Sequence, residues 1–245
     1  MKIKLFLIVL IAASFLNVFG YVHVFSYQDF TDYEVESRIT ESVIPSNDDG
    51  THGSNDRWGP NNEKTWPDVP GDTNIYIDSA LPPEIQERDG RKVILMQGDE
   101  DCNSIIGLQK VPNPTGNYLM VSYEMYITEE TDRIVLFSNT KPDNTQRVFI
   151  VYEDGQIKVK QKIGRYNEKI IFSKSYNLYN RWFKLSLRAY SNELRLTIGT
   201  RRFFTGEFRQ RFDTFPYYYV GNWMDDYDLS NMKVYIDKFI VSHGR

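Results

Sequence analysis

Cysteine is almost missing from this 245-residue chain: Cys102 is the only one. No disulfide can close within it, so stability has to come from an apolar core, which a chain of this length can build. A buried thiol is the simpler reading of Cys102, with pairing between chains the alternative. Histidine is scarce too. Three histidines (His23, His52, His243) and one cysteine cannot make a structural zinc centre. Basic tracts are lacking, which removes the phosphate-neutralising footprint of a nucleic-acid binder. Beyond the N-terminus no stretch supplies the ~20 apolar residues of a spanning helix. Heptads, repeats, an amphipathic helical period, a serine-nucleophile motif and a phosphate-cradling glycine loop are absent as well.

What is present begins with a leader. Lys2 and Lys4 precede a nearly all-apolar run from Leu5 to Leu16, and Val18 and Gly20 put small residues before a cut at Tyr21. This is the layout of a secretory signal peptide. The expected organisation is therefore a signal peptide, 1–20, and one secreted domain, 21–245. Removing Lys2 and Lys4 leaves 27 basic against 33 acidic side chains, a net charge of −6.

The prevailing sequence period is two. Leu119, Val121, Tyr123, Met125 and Ile127 alternate with Met120, Ser122, Glu124 and Tyr126. Phe183, Leu185, Leu187 and Ala189 alternate with Trp182, Lys184, Ser186 and Arg188, and Leu194, Leu196 and Ile198 with Arg195 and Thr197. Ile157 and Val159 alternate with Lys158, Lys160 and Lys162. Such alternation describes half-buried antiparallel strands. Turn residues separate them, and Asp154-Gly155 is a strong hairpin signal. About a dozen strands fit, which predicts an all-β, two-sheet antiparallel β-sandwich. One long irregular loop near residues 45–71 interrupts the pattern. Rich in Pro, Gly, Asn and Asp, it is not expected to hold a β ladder, yet it carries Trp58 and Trp66.

Several stretches in order resemble a known family. VFSYQDF opens the mature chain, DGRKVILMQGD follows the long loop, and DGQIKV leads to YNRWFKLSLRAYSNELRLTIGTRRF. YVGNW, an acidic loop and MKVYIDKFIVSH then close the chain. This arrangement is similar to the concanavalin A-like lectin/glucanase superfamily, whose jelly roll serves laminin-G-like modules, lectins, carbohydrate-binding modules and polysaccharide lyases. The resemblance implies a jelly-roll sandwich. In that pattern Gly221-Asn222 marks the turn leaving the penultimate strand.

The resemblance also implies chemistry to be tested against the residues. Retaining glycosidases of the superfamily carry Glu-x-Asp-x-x-Glu on one strand, so that two carboxyl groups ~5 Å apart act together. The nearest stretch here, Glu124 to Glu130, has Tyr126 where the central Asp belongs. A uronate lyase needs a carboxylate-neutralising group and a Tyr or His to move protons, and no lyase strand motif stands out. Asp225, Asp226 and Asp228 make an oxygen-rich cluster of the kind calcium takes, with a solvated acidic turn as the simpler reading. No cofactor is expected, calcium being the alternative.

Sugar binding asks less. Aromatic residues are 15% of the chain, and their rings stack on pyranose faces while Asn, Asp and Arg meet the hydroxyls. The candidate ligand-binding residues are Trp58, Trp66, Trp182, Lys184, Arg188, Arg195 and Trp223. Arginines there would favour acidic glycans. The expected function is non-catalytic recognition of an extracellular glycan or polysaccharide. The alternatives are a uronate-cleaving polysaccharide lyase and a structural or adhesion protein of an extracellular coat.

Overall fold

The computed structural model describes residues 22–28, 57–58, 74–79, 84–98, 104–109, 118–140, 146–164, 167–208, 212, 217–222 and 230–244. The leader, Cys102, Trp66, Trp223 and the Asp225, Asp226 and Asp228 cluster lie outside the described residues, as does most of the 45–71 loop.

The described residues are nearly all β, in sixteen strands. The first eight are β1 (Val22–Gln28), β2 (Arg57–Trp58), β3 (Asn74–Ser79), β4 (Glu84–Arg88), β5 (Arg91–Gly98), β6 (Ser104–Gln109), β7 (Tyr118–Ile127) and β8 (Arg133–Thr140). The rest are β9 (Gln146–Glu153), β10 (Gln156–Ile163), β11 (Asn167–Ser175), β12 (Trp182–Tyr190), β13 (Glu193–Ile198), β14 (Arg201–Glu207), β15 (Tyr217–Asn222) and β16 (Met232–Gly244). Short pieces such as β2 and β4 account for much of the excess over a dozen. The first sheet runs β14-β13-β12-β7-β16-β5-β4, with β1 also paired to β16; the second runs β11-β10-β9-β8-β15-β6-β3-β2. All the pairings between these strands are antiparallel. The antiparallel two-sheet β-sandwich expected from the sequence is what forms.

The period-two pattern explains why. The predicted apolar rows of β7, β12 and β13 all enter one core cluster, and from the second sheet Ile134, Leu136, Val148, Ile150, Tyr152, Ile157 and Val159 meet them. Two Asp-Gly pairs make the hairpin turns. Asp89 and Gly90 have φ of 52° and 73°, Asp154 and Gly155 of 53° and 67°, the positive pair that a two-residue turn matched to strand twist requires.

One expectation is modified. Arg57–Trp58, inside the irregular loop, pairs with β3, Trp58 opposite Ile77. Trp58, which follows Arg57, is a β-favouring residue, and the pair makes a two-residue ladder. On β15 neighbouring residues take opposite faces, and Val220 enters the main core. Tyr219 is also buried, but on the outer side, in a separate cluster with Val135, Phe149 and Val151.

Gly221-Asn222 ends β15 rather than standing outside it. The backbone ladder from β15 to β8 covers only Tyr217 to Tyr219. Beyond it the Asn222 side chain takes over: Nδ2 donates to the Arg133 carbonyl at 2.8 Å, and Oδ1 accepts from the Val135 N–H at 3.1 Å. A buried primary amide thus mimics a peptide unit where the strands part. Asn222→Ala leaves both backbone groups without that partner. We expect it to lower stability by about 2–3 kcal/mol, read as a shift of the urea midpoint. A loss under ~1 kcal/mol would mean that water replaces the amide.

Candidate functional site

The outer face of the first sheet is built by the residues that alternate with the core. Cross-strand register aligns Trp182 of β12 with Tyr126 of β7, Tyr126 with Tyr235 of β16, and Tyr235 with Leu95 of β5. An aromatic row therefore crosses the sheet, with Val93, Leu95 and Tyr235 buried and Tyr126 and Trp182 half-buried beside them. Its rings meet edge to face, at 5.8 Å for Tyr126–Trp182 and 6.1 Å for Tyr126–Tyr235.

The β4–β5 hairpin folds over this row. The Trp182 indole N–H donates to Asp89 at 2.8 Å, Arg91 stacks on Trp182 at 4.7 Å, and Arg88 lies 3.8 Å above Tyr126. One level along, Lys184, Glu124 and Asp237 stand abreast on neighbouring strands. Arg91 binds Glu124 at 2.6 Å and Asp237 at 3.5 Å, and Lys238 binds Glu124 at 3.1 Å. Burial pushes Glu124 up, but hydrogen bonds from Arg91 and Lys238 outweigh it and hold the carboxyl below its usual range. Asp237 moves the other way: burial raises it, the Glu124 charge adds to the rise, and Lys238 and Arg91 only partly oppose it.

Past this covered end the face is basic and open. Arg188 of β12 lies directly opposite Arg195 of β13, and Thr197 lies opposite Arg202 of β14. With Lys184 these make four exposed cations on adjacent strands. Glu193 holds Arg195, and Tyr190 closes the strip with 51% of its surface exposed. Four candidate residues named from the sequence, Trp182, Lys184, Arg188 and Arg195, thus share one face of one sheet. They divide between its two ends, because the hairpin caps Trp182. Trp58 belongs to the other sheet. Arg88, Arg91 and Arg202 were not legible: each joins the face only through register or a fold-over, which no local pattern reveals.

The carboxylates of the glycosidase-like stretch are dispersed. Glu124 is in the ion network just described, Glu129 accepts from Asn180 at 2.7 Å, and Glu130 pairs with Lys233 at 3.1 Å. Tyr123, Tyr152 and Tyr179 have hydroxyls pushed up by burial, the wrong direction for a proton-abstracting phenolate. His23 and His243, distant in sequence, are register partners in the β1–β16 ladder; His52 is outside the described residues.

The second sheet carries an ion cluster of its own. Glu153 receives Arg133 at 3.2 Å and Lys158 and Lys160 at 3.0 Å each. Burial raises its pKa, yet the lysine hydrogen bonds prevail and hold it low. A carboxyl depressed in the folded state contributes stability above the unfolded value of about 4.3 and loses it as pH falls through the folded one. Glu153→Gln should cost about 2–3 kcal/mol at pH 7, and its gap from the wild type should narrow towards pH 3. Urea midpoints at pH 7, 5 and 3 measure this; a gap independent of pH would refute the assignment.

No family model and no curated protein sequence matches the chain. Among solved structures, one described as a receptor binding domain is similar at 12% identity and a TM-score of 0.50, covering 75% of this chain and 46% of its own. A structure from a study of botulinum neurotoxin type C and two ganglioside molecules gives 13% identity and a TM-score of 0.47, covering 69% of this chain and 43% of its own. The binding domain of botulinum neurotoxin DC, in complex with rat synaptotagmin II, gives 12%, 0.47, 69% and 43%. This chain spans less than half the length of each. At such identities the likeness is one of β-sandwich fold.

Proposed function

We propose that the chain is a secreted, non-catalytic carbohydrate-binding protein, its leader cut before Tyr21 and its remainder forming one jelly-roll domain. Its glycan lies on the outer face of the first sheet, along β12–β14 and up to the covered aromatic row. The observation that carries this reading is the Arg188–Arg195 opposition, reinforced by Lys184 and Arg202 on the same face. Like charges directly opposite each other on neighbouring strands are destabilising, in a range of roughly 0.2–1 kcal/mol per pair. Four cations gathered on one exposed face present a surface complementary to an anionic ligand. The fold itself assigns nothing, since sandwiches host many functions.

A glycan array probed with the secreted protein tests the reading. Binding to acidic glycans, weakening as salt rises, is the expected outcome. Silence across both neutral and acidic glycans would sink it. Incubation with alginate, glucuronan and heparin-type polymers is the companion assay. Ultraviolet absorbance from unsaturated products would replace the binding reading with a lyase.

A further inference from the structure

Two arginines flank the Asp89-Gly90 turn, and their surroundings treat them differently. Arg91 is neutralised by Glu124 and Asp237. Arg88 has no carboxylate partner among the described residues. Its guanidinium carbon lies 3.8 Å from the centroid of Tyr126 and 4.3 Å from that of Tyr235, and its Nε is buried without a hydrogen-bond partner. Two ring faces on neighbouring strands therefore fix its position. A guanidinium stays charged at any ordinary pH. The rings offset part of its desolvation but supply no counter-charge. Arg88 is only partly buried, so with Nε turned inward the terminal nitrogens are the part of the fork a ligand can reach.

We propose that Arg88 is a preorganised receptor for one oxyanion, a carboxylate or a sulfate ester, and that it commits the ligand to the acidic glycans. The planar fork suits either group, because both present paired oxygens to parallel N–H donors. Pinning by Tyr126 and Tyr235 removes the side-chain freedom that a surface arginine loses on binding. Tyr126 is the direct cross-strand neighbour of Trp182, and Lys184 lies one level further along β12. The receptor thus sits within ~10 Å of Lys184, the nearest of the open cations. An acidic glycan passing this point places one acidic group at Arg88 and another at Lys184. That the oxyanion belongs to a glycan rests on the function proposed above.

The test has an arm that needs no glycan. In a nitrogen-15 spectrum the Arg88 Nε–Hε peak, displaced by the ring currents of two tyrosines, is assigned by its loss in Arg88→Met. Sulfate and methyl glucuronide are titrated separately at constant ionic strength. A saturable shift of that peak supports the proposal, and the anion that produces it distinguishes sulfate ester from carboxylate. No shift with either anion overturns it. In the second arm, Arg88→Met should lose roughly 10–100-fold in affinity for acidic glycans, the range of one charge-assisted hydrogen bond. Arg88→Lys, charged but not planar, should recover part of that. Unchanged glycan affinity in Arg88→Met, with its melting temperature preserved, overturns the proposal while the glycan reading stands. A saturable Arg88 shift with an empty glycan array upholds the receptor and removes the glycan reading instead.

Discussion

Tyr123→Ala should lower the unfolding free energy by about 5 kcal/mol, enough to unfold a domain at the weaker end of the usual 5–15 kcal/mol range. Tyr123 is fully buried at the centre of β7, stacked on Phe239 at 5.9 Å. Its ring crosses the space between the sheets, and its hydroxyl donates to the Leu136 carbonyl on β8. That carbonyl needs the donor because of a bulge. In the β8–β9 register Val135 faces Val151 and Phe137 faces Ile150, so Leu136 has no partner there. The β15–β8 ladder does not reach it either. Truncating a buried aromatic costs about 3–5 kcal/mol, and an orphaned buried carbonyl adds about 1–3 kcal/mol. Tyr123→Phe keeps the ring and removes only the hydroxyl, so it should cost about 1–2 kcal/mol. Urea denaturation of the pair separates the two contributions. Equal losses for Phe and Ala would mean that the hydroxyl, not the ring, joins the sheets; no loss for Phe would mean that the carbonyl finds another donor. Burial pushes the hydroxyl well above the ordinary phenol range, so it remains a donor throughout any practical pH series.

The second large effect is on binding. Replacing Arg188 and Arg195 together by glutamine should reduce affinity for acidic glycans by at least about a hundredfold, since each charge-assisted hydrogen bond contributes about 1.5–3 kcal/mol. The same double variant should stay within about 1 kcal/mol of the wild type in stability, because relief of the like-charge opposition across β12 and β13 offsets surface contacts such as Arg195–Glu193. Binding lost while stability is held is the signature of side chains kept for a ligand. A double variant that binds normally would move the site away from β12–β14. One that unfolds would show that the arginines are structural, acting through neighbours such as Glu193. Salt should reveal the same thing from the other side: the slope of affinity against ionic strength should flatten once two of the four cations are gone.

The strands of the central body were legible because period two is written directly into them. In β7, β12 and β13 every residue placed on the core face by alternation is there, and burial of one face leaves a strand no other register. The Asp-Gly hairpin at 154–155 was legible for a similar reason, positive φ at both turn positions. Irregularities were not. The bulges in β8 and β16, the two-residue strand inside the loop, and the Asn222 amide standing in for a peptide unit all answer to a neighbouring strand distant in sequence.

By itself, then, the sequence determined the antiparallel sandwich, the core rows and the fact that Trp182, Lys184, Ser186 and Arg188 share one side of their strand. Local alternation settles each of these, since successive side chains of a strand must point to opposite faces. Only the tertiary structure decided what lies beside them. Register set Arg188 against Arg195 and drew Trp182, Tyr126 and Tyr235 into one row. The folded-over β4–β5 hairpin turned that row from an open platform into a covered one, leaving Arg88 pinned and, among the described residues, without a carboxylate partner. Such neighbours come from strands tens of residues apart, and their alignment is set by ladder pairing and bulges across the whole sheet.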